Sequence, residues 1–312
     1  MTNKTICIAG PTASGKTAFA VALAKELDAE VISCDSMQVY RYMDIGTAKP
    51  SVDEMQGIPH HMLDVAEPDE DFSVSRYCEM ASPILDDIHA RGKIAIIAGG
   101  TGLYMDALIR GNAFAPSPST GMREKLEAQA DHDGMQAMLD LLKTIDPQAA
   151  SKLHLADRKR ILRALEVYYE TGETITAHNL KTQAIPPKYE AVWFGLEDQD
   201  RADLYARIDQ RVLDMVDNGL IDEIRNLLNR GIGENTTAMQ AIGYKEFLGA
   251  LAGKCTMDEA VSSVQQATRH YAKRQLTWFR RNSAIHWLTR QKGETTLEIL
   301  AKARQILGAF DN

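Results

Sequence analysis

The stretch "AGPTASGKTAF", residues 9 to 19, decides the fold and raises the first chemical question. It begins where the run Thr5 to Ala9 ("TICIA") ends, and it leads into "TAFAVALAKEL", whose Phe19, Val21, Leu23 and Leu27 suit a largely buried helix. The order is strand, loop, helix. Gly10 and Gly15 bracket a loop through Pro11, Thr12, Ala13 and Ser14 whose backbone N–H groups can wrap an anion. Lys16 adds a mobile positive charge, and Thr17 offers a hydroxyl to Mg²⁺. The full G-x-x-x-x-G-K-[ST] pattern of a P-loop therefore reads as a phosphate cradle. The owner of the phosphates stays open, because any diphosphate presents the same charged oxygens as a nucleotide.

Similar short runs recur along the chain: "EVIS" at Glu30 to Ser33, "KIAIIAGG" at Lys93 to Gly100, "AVWFGL" at Ala191 to Leu196 and "AIHWLT" at Ala284 to Thr289. Helical patterns separate them. Alternating strands and helices predict an α/β fold, a parallel sheet with helices on both faces and a ligand at the carboxyl ends of the strands. Gly10, Asp35 and Gly99 fall at or just after such ends. Between Gly111 and Tyr189 the rhythm changes. "GNAFAPSPST" reads as a linker, helical segments are expected at Met122 to Ala130, Met135 to Lys143 and Arg158 to Tyr169, and "AIPPKYE" leads back to a strand. The expected organisation is a core over residues 1–115, a mostly helical insertion over 116–188, and the rest of the core with a basic C-terminal helical region over 189–312. Downstream, Leu204, Ile208, Val212, Met215 and Val216 keep helical spacing until Gly219.

The chain has 312 residues and a net charge of −8, which speaks against indiscriminate nucleic-acid binding, but the charge is unevenly placed. From Val261 to Lys292 there is no Asp or Glu, while Arg269, Lys273, Arg274, Arg280, Arg281, Arg290 and Lys292 are basic. A second cluster, Arg158, Lys159, Arg160 and Arg163, lies in "DRKRILRALEVYY". Each fits either a solvated helix face or a polyanion partner. No apolar run approaches the roughly 18 residues of a membrane span, and "MTNKTICIAGP" has no signal-peptide pattern, so a cytoplasmic protein without membrane contact is expected. Cys7, Cys34, Cys78 and Cys255 lack the paired spacing of a zinc site or a disulfide framework.

The second strand runs into "VISCDSMQVYRYMDIGTAKP". Asp35 at its end is open to three readings: an Mg²⁺ ligand, a general base, or a turn cap. Ser36, Gln38 and Tyr40 add hydrogen-bonding groups that suit a polar acceptor such as a nucleobase edge. After the third strand comes "GGTGLYMDALIRG", which carries no acid at the strand end. Gly99, Gly100 and Gly102 permit either close approach of a ligand or tight packing of the turn, and Thr101 offers a hydroxyl.

Together "GPTASGKT", "DSMQVYRYMDIGTAKP", "GIPHHMLD", "GGTGLY", "RILRALEVYYETG", "TAMQAIGYKE" and "YAKRQLTWFRR" resemble, in order and over nearly the whole chain, the signatures of bacterial tRNA dimethylallyltransferases, also called tRNA isopentenyltransferases. The resemblance implies a P-loop NTPase-like fold whose cradle, despite its ATP-binding motif, holds the diphosphate of dimethylallyl diphosphate. It implies transfer of the dimethylallyl group to N6 of adenosine 37 in tRNAs reading codons that begin with U, giving N6-dimethylallyladenosine and diphosphate.

Carried over by motif, the loop from Gly10 to Thr17 would hold the diphosphate, with Lys16 in the catalytic set and Thr17 at Mg²⁺. Asp35 would take the N6 proton, while Ser36, Met37 and Gln38 frame the flipped adenine. Thr101 and Arg123 match tRNA-contacting positions, as does the segment Lys159, Arg160, Ile161, Leu162 and Arg163. Arg211 in "RIDQRVLDM" matches an arginine beside the diphosphate. Gln240, Ala241, Ile242, Gly243, Tyr244 and Lys245 match a further tRNA-contacting segment. The partners so implied are the tRNA anticodon stem-loop and dimethylallyl diphosphate, with the enzyme working as a monomer. Eukaryotic relatives carry a C-terminal zinc-finger extension with no counterpart here, so a bacterial-type enzyme is expected. Plant adenylate dimethylallyltransferases share the P-loop and the aspartate, but the insertion and the basic C-terminal stretch argue against a free nucleotide as acceptor. The competing functions are a P-loop kinase of a small metabolite and a non-catalytic RNA-binding protein gated by nucleotide.

Overall fold

The computed structural model describes residues 5–112 and 120–309. Residues 113–119 of the expected linker, and with them the expected boundary at 115/116, lie outside the described residues, as does the stretch before the first strand, 1–4. The strands are β1 (Thr5–Ala9), β2 (Glu30–Ser33), β3 (His60–His61), β4 (Ala95–Gly99), β5 (Ala191–Asp198) and β6 (Ile285–Arg290). They form one parallel sheet in the order β3-β2-β4-β1-β5-β6. The α/β expectation holds. The sequence pattern missed β3, which is two residues long and follows Pro59, too short to show alternation.

Helices cover both faces because the strand side chains alternate. Cys7, Ala9, Ile32 and Ile97 pack with Tyr77, Ala81, Leu85 and Ile88 of the helix Val74–Ala90 and with Phe279 of the helix Met257–Phe279. Ile6, Ile8, Val31 and Ile96 meet Phe19, Leu23 and Ala24 of the helix Lys16–Leu27 and Ile299, Leu300 and Ala303 of the helix Thr296–Ala309. Each fully buried aliphatic side chain contributes about 1.5–3 kcal/mol to holding the helices on the sheet.

The chain divides into two compact units: everything up to Ile109 together with Tyr189 onward, and Arg110–Lys188. The second unit has a core of Leu126, Met138, Leu142, Ile161, Leu162 and Leu165. Its first helix spans Met122–Ile145, with Gly134 in a non-helical conformation (φ 81°, ψ 158°), so the two helical segments expected there form one element broken at a glycine. Asp146 ties this unit together by accepting from Ala149 N–H at 3.0 Å, Thr176 N–H at 3.0 Å and Thr176 Oγ1 at 2.8 Å.

At the amino end of the sheet, the 4 % exposed Glu30 lies under Arg91, which forks onto both carboxylate oxygens, and accepts from His61 Nε2 at 2.8 Å. Arg91 above all, with His61, holds the Glu30 carboxyl down to about 2 against the opposing effect of burial. A folded-state pKa below the unfolded value means that this contribution to stability is present above about 4.3 and disappears as pH falls toward 2. Thermal melts between pH 7 and 3 should show a steeper acid loss of Tm in the wild type than in Glu30→Gln, which has no carboxylate to protonate.

Candidate active site

Strand register brings three loops side by side. Ala9 pairs with Gly99 and Ser33 with Ala98, so the chain leaves β1 at Gly10, β2 at Cys34 and β4 at Gly100 along one edge of the sheet. This is the crevice at a carboxyl edge where parallel sheets receive ligands.

In the first loop Gly15 adopts φ 83°, which is unstrained only for glycine, and a Cβ there would also lie 2.8 Å from Arg290 Nη2. The helix that follows, Lys16–Leu27, begins without a side-chain cap and without an acid in its first turn. Its N–H dipoles therefore face the loop uncompensated. Ser14 Oγ is buried and has no hydrogen-bond partner among the described residues, the condition of a hydroxyl built for a ligand oxygen. Lys16 Nζ donates to Pro11 O at 2.6 Å, and Arg211 Nη1 donates to Thr12 Oγ1 at 3.2 Å. Burial, followed by the charge of Arg211, brings Lys16 down to about 7 although Asp35 pulls the other way. Burial lowers Arg211 as well, against Asp35 and Glu54.

In the second loop Asp35 Oδ1 accepts from Met37 N–H at 2.9 Å and from Gln38 N–H at 3.4 Å, the geometry of a capped turn. That cap occupies one oxygen and leaves Oδ2 with no hydrogen bond among the described residues. The Gln38 amide is held inside the protein: Oε1 accepts from Ser33 Oγ at 2.9 Å and Nε2 donates to Ala48 O at 3.1 Å. Tyr40 is not beside the acid. The turn carries it into the core, where its hydroxyl donates to Glu70 O at 3.2 Å and its ring meets Phe72 edge-on.

In the third loop Thr101 Oγ1 accepts from Ser36 N–H at 3.0 Å, joining this loop to the second. The glycines of the turn are filled by protein: a Cβ at Gly100 would overlap Gln275 Nε2, and one at Gly102 would overlap the Trp278 indole. Tight packing accounts for Gly102, whereas Gly99 and Gly100 also line a polar cavity.

Two adjoining cavities open here. A polar one of about 520 Å³ is lined by Thr12 to Thr17 with Asp35, Glu54, Arg207, Arg211, Asp214 and Gln275. A second of about 290 Å³ is lined by Met37, Ile208, Val212, Met215, Ala241, Ile242 and Val264, with Ser36, Gln240, Gly243 and Arg274. Asp35, Arg211 and Tyr271 belong to the walls of both. Burial, then the Asp35 charge, pushes the Tyr271 phenol well above its ordinary value.

From the segment 240–245, the residues Gln240 to Gly243 reach the second cavity, whereas Tyr244 is buried and donates to Glu223 Oε1 at 2.6 Å, and Lys245 opens the helix Lys245–Leu251. In the other unit Arg123 pairs with Glu127 at 2.9 Å and Arg163 with Glu166 at 2.8 Å. Lys159 and Arg160 are exposed, while the Ile161 and Leu162 side chains fill that unit's own core. In the basic C-terminal stretch Arg269 pairs with Asp209 and Arg280 with Glu197, whereas Lys273, Arg274 and Arg281 have no carboxylate partner among the described residues. Tyr271, Gln275 and Arg207 were not anticipated. The first two lie in "YAKRQLTWFRR", a stretch whose charges mask its uncharged polar residues.

The sequence model of the IPP transferase family matches residues 38–282. The chain belongs to this family. It is 47 % identical over 284 residues to the tRNA dimethylallyltransferase of Thermoanaerobacter sp. (strain X514), covering 90 % of each chain, and 42 % identical over 306 residues to that of Acetivibrio thermocellus, covering 98 % and 97 %. Among solved structures it resembles the full-length tRNA isopentenylpyrophosphate transferase of Bacillus halodurans at 42 % identity and TM-score 0.73, covering 98 % and 96 %. It also resembles a eukaryotic dimethylallyltransferase acting on tRNA at 29 % identity and TM-score 0.83, covering 98 % and 80 %. The family match begins at Gln38, so the P-loop and Asp35 of this IPP transferase precede it, whereas the alignment to the Acetivibrio relative spans 98 % of the chain.

Lys16 should titrate near neutrality. With side-chain-labelled lysine, NMR should show a resonance with a midpoint near 7 that is lost in Lys16→Met. Arg211→Ala should move that midpoint up, and Asp35→Asn should move it down.

Proposed function

We propose that the chain transfers a dimethylallyl group from dimethylallyl diphosphate to N6 of adenosine 37 in tRNAs reading codons that begin with U. The observation that carries this reading is the shared wall: Asp35 and Arg211 stand where the polar, P-loop-lined cavity meets the apolar one. The polar side suits a diphosphate, held by the N–H groups of Ala13, Gly15, Lys16 and Thr17 with Ser14 Oγ and the Lys16 ammonium. The other side suits the allyl chain and a flipped base, with Ser36 and Met37 beside the adenine and the Gln38 side chain shaping the turn.

As N6 attacks the allylic carbon, the C–O bond to diphosphate breaks and the N6 proton passes to Asp35. An exocyclic amine is a weak nucleophile, so a placed carboxylate assists it. Charge developing on the departing diphosphate is met by Lys16, Arg211 and the P-loop N–H groups. Diphosphate binding restores the proton that burial disfavours on Lys16. Thr17 lines the polar cavity, a hard oxygen donor that fits Mg²⁺ held mainly by substrate oxygens and water. When bound, Mg²⁺ would neutralise diphosphate charge there.

Adenosine 37 is stacked in the anticodon loop, and unstacking it costs a few kcal/mol. Contacts to the anticodon stem-loop from Thr101, Gln240 to Gly243, Lys245, Arg123, Lys159, Arg160 and Arg163 would offset that cost, while Tyr244, Ile161 and Leu162 support these segments from the cores. The helical unit around 116–188 is assigned to tRNA binding on this basis. Among the described residues no helix is long and apolar enough to cross a membrane. We place the enzyme in the cytoplasm, where its tRNA substrate is, working as a monomer.

Purified protein, unmodified tRNA, Mg²⁺ and labelled dimethylallyl diphosphate should give labelled RNA without ATP. Phosphoryl transfer from ATP to a metabolite, with no labelled RNA, would instead establish a kinase. Asp35→Asn retains the turn cap but not the proton acceptor, so single-turnover transfer should drop by roughly 10²–10⁴-fold with tRNA affinity nearly unchanged. Normal turnover in this variant would leave Asp35 as a turn cap, and recovery at high Mg²⁺ would make it a metal ligand.

A further inference from the structure

Gln275 lies on the helix Met257–Phe279, far in sequence from every loop of the site, yet it is 5 % exposed and reaches into the polar cavity. Its Oε1 accepts from Thr12 N–H at 2.8 Å and its Nε2 donates to Gly100 O at 3.0 Å. One amide thus joins the P-loop to the glycine turn, and both contacts require the same orientation of the amide.

The link continues beyond Gly100. Thr101 N–H donates to Cys34 O at 3.2 Å and Thr101 Oγ1 accepts from Ser36 N–H at 3.0 Å, which fixes the turn capped by Asp35. An unbroken run of hydrogen bonds therefore leads from Thr12, through Gln275 and the glycine turn, to the loop of Asp35. Gly100 is what lets Gln275 in, because a Cβ there would overlap Nε2. Beside it the Trp278 indole fills the space at Gly102 and donates to Asp106 Oδ2 at 2.8 Å, so the helix grips the turn at two successive contacts.

We propose that Gln275 is a positioning residue that sets the spacing between the diphosphate cradle and the Asp35 loop. The proposal rests on the transferase reading above. Transfer requires the allylic carbon to sit in line between a departing diphosphate held by one loop and an amine directed by the other. A displacement of about 1 Å between such groups lowers the rate by about a hundredfold. Gln275 touches neither reacting atom. It turns Thr12 N–H away from the ligand, leaving the amides of Ala13, Gly15, Lys16 and Thr17 for the anion, and holds Thr101 at a fixed distance from them.

The test separates the two ends of the amide. Gln275→Met keeps the length but makes neither hydrogen bond. Gln275→Glu, assayed at pH 8.5 where the carboxyl is ionised, still accepts from Thr12 but cannot donate to Gly100. Calorimetry with inorganic diphosphate should show about fivefold weaker binding in Gln275→Met, and weaker binding still in Gln275→Glu, whose carboxylate repels the anion in the polar cavity. Single-turnover transfer to tRNA should fall tenfold to a hundredfold in both, with tRNA affinity within about twofold of wild type.

Gln275→Ala and Gln275→Ala/Gly100→Ala then distinguish positioning from space-filling, since the added methyl occupies the room that the amide leaves. Positioning requires the double variant to stay slow even where its Tm recovers. Return of the double variant to the wild-type rate would overturn the proposal, as would a wild-type rate in Gln275→Met. If wild-type protein labels no tRNA, the transferase reading fails separately, and wild-type diphosphate affinity in Gln275→Met overturns the link itself.

Discussion

The site depends on one constraint: the parallel pairing of β4 with β1 on one side and β2 on the other. Ala9 opposite Gly99 and Ser33 opposite Ala98 bring three chain exits together at one edge of the sheet. A one-residue slip of any of these strands would turn its alternating buried side chains to the opposite face, where the cavities they fill have other shapes. Cys7 and Ile8 are both fully buried but in different cores, so the register is held from both sides.

Around that edge the protein concentrates charge that burial disfavours. Lys16 and Arg211 are both half-buried, both lowered by desolvation, and both moderated by the Asp35 carboxylate. Glu54, Asp214 and Arg207 also line the cavity, but Lys16 and Arg211 repel each other beside the P-loop, an imbalance that a multivalent anion relieves. The unpartnered Ser14 hydroxyl and the uncapped start of the helix Lys16–Leu27 add to the same imbalance. The polar cavity is a preorganised environment that is completed electrostatically by its ligand.

The uneven charge of the chain resolves in a more limited way than its composition indicates. Arg269 and Arg280 are neutralised by Asp209 and Glu197, so the acid-poor stretch is partly an internal partner of acids elsewhere in the sequence. Lys273 and Arg281 remain for solvent or a polyanion, and Arg274 reaches the second cavity. In the helical unit Lys159 and Arg160 face outward, but Ile161 and Leu162 between them and Arg163 are structural. A basic segment on a helix offers only the face that its apolar residues do not use.

The sequence by itself determined the P-loop, the parallel α/β class, the helical character of the stretch between Gly111 and Tyr189, and the family. Each of these is written in local signals: a contiguous anion-binding motif, β-branched runs, apolar periodicity, and ordered short motifs. It also singled out Asp35, Thr101 and Arg211, but left open whether Asp35 caps a turn and whether the glycines of "GGTG" admit a ligand. Tertiary structure decided that Asp35 Oδ1 caps the turn, that Gln275 and Trp278 fill the glycine turn, and that Tyr40 belongs to the core. It also brought Arg207, Tyr271 and Gln275 to the cavity across separations such as the 263 residues between Thr12 and Gln275. No local pattern encodes such meetings, because they follow from strand order and helix packing, and a buried glutamine reads in sequence like any exposed one.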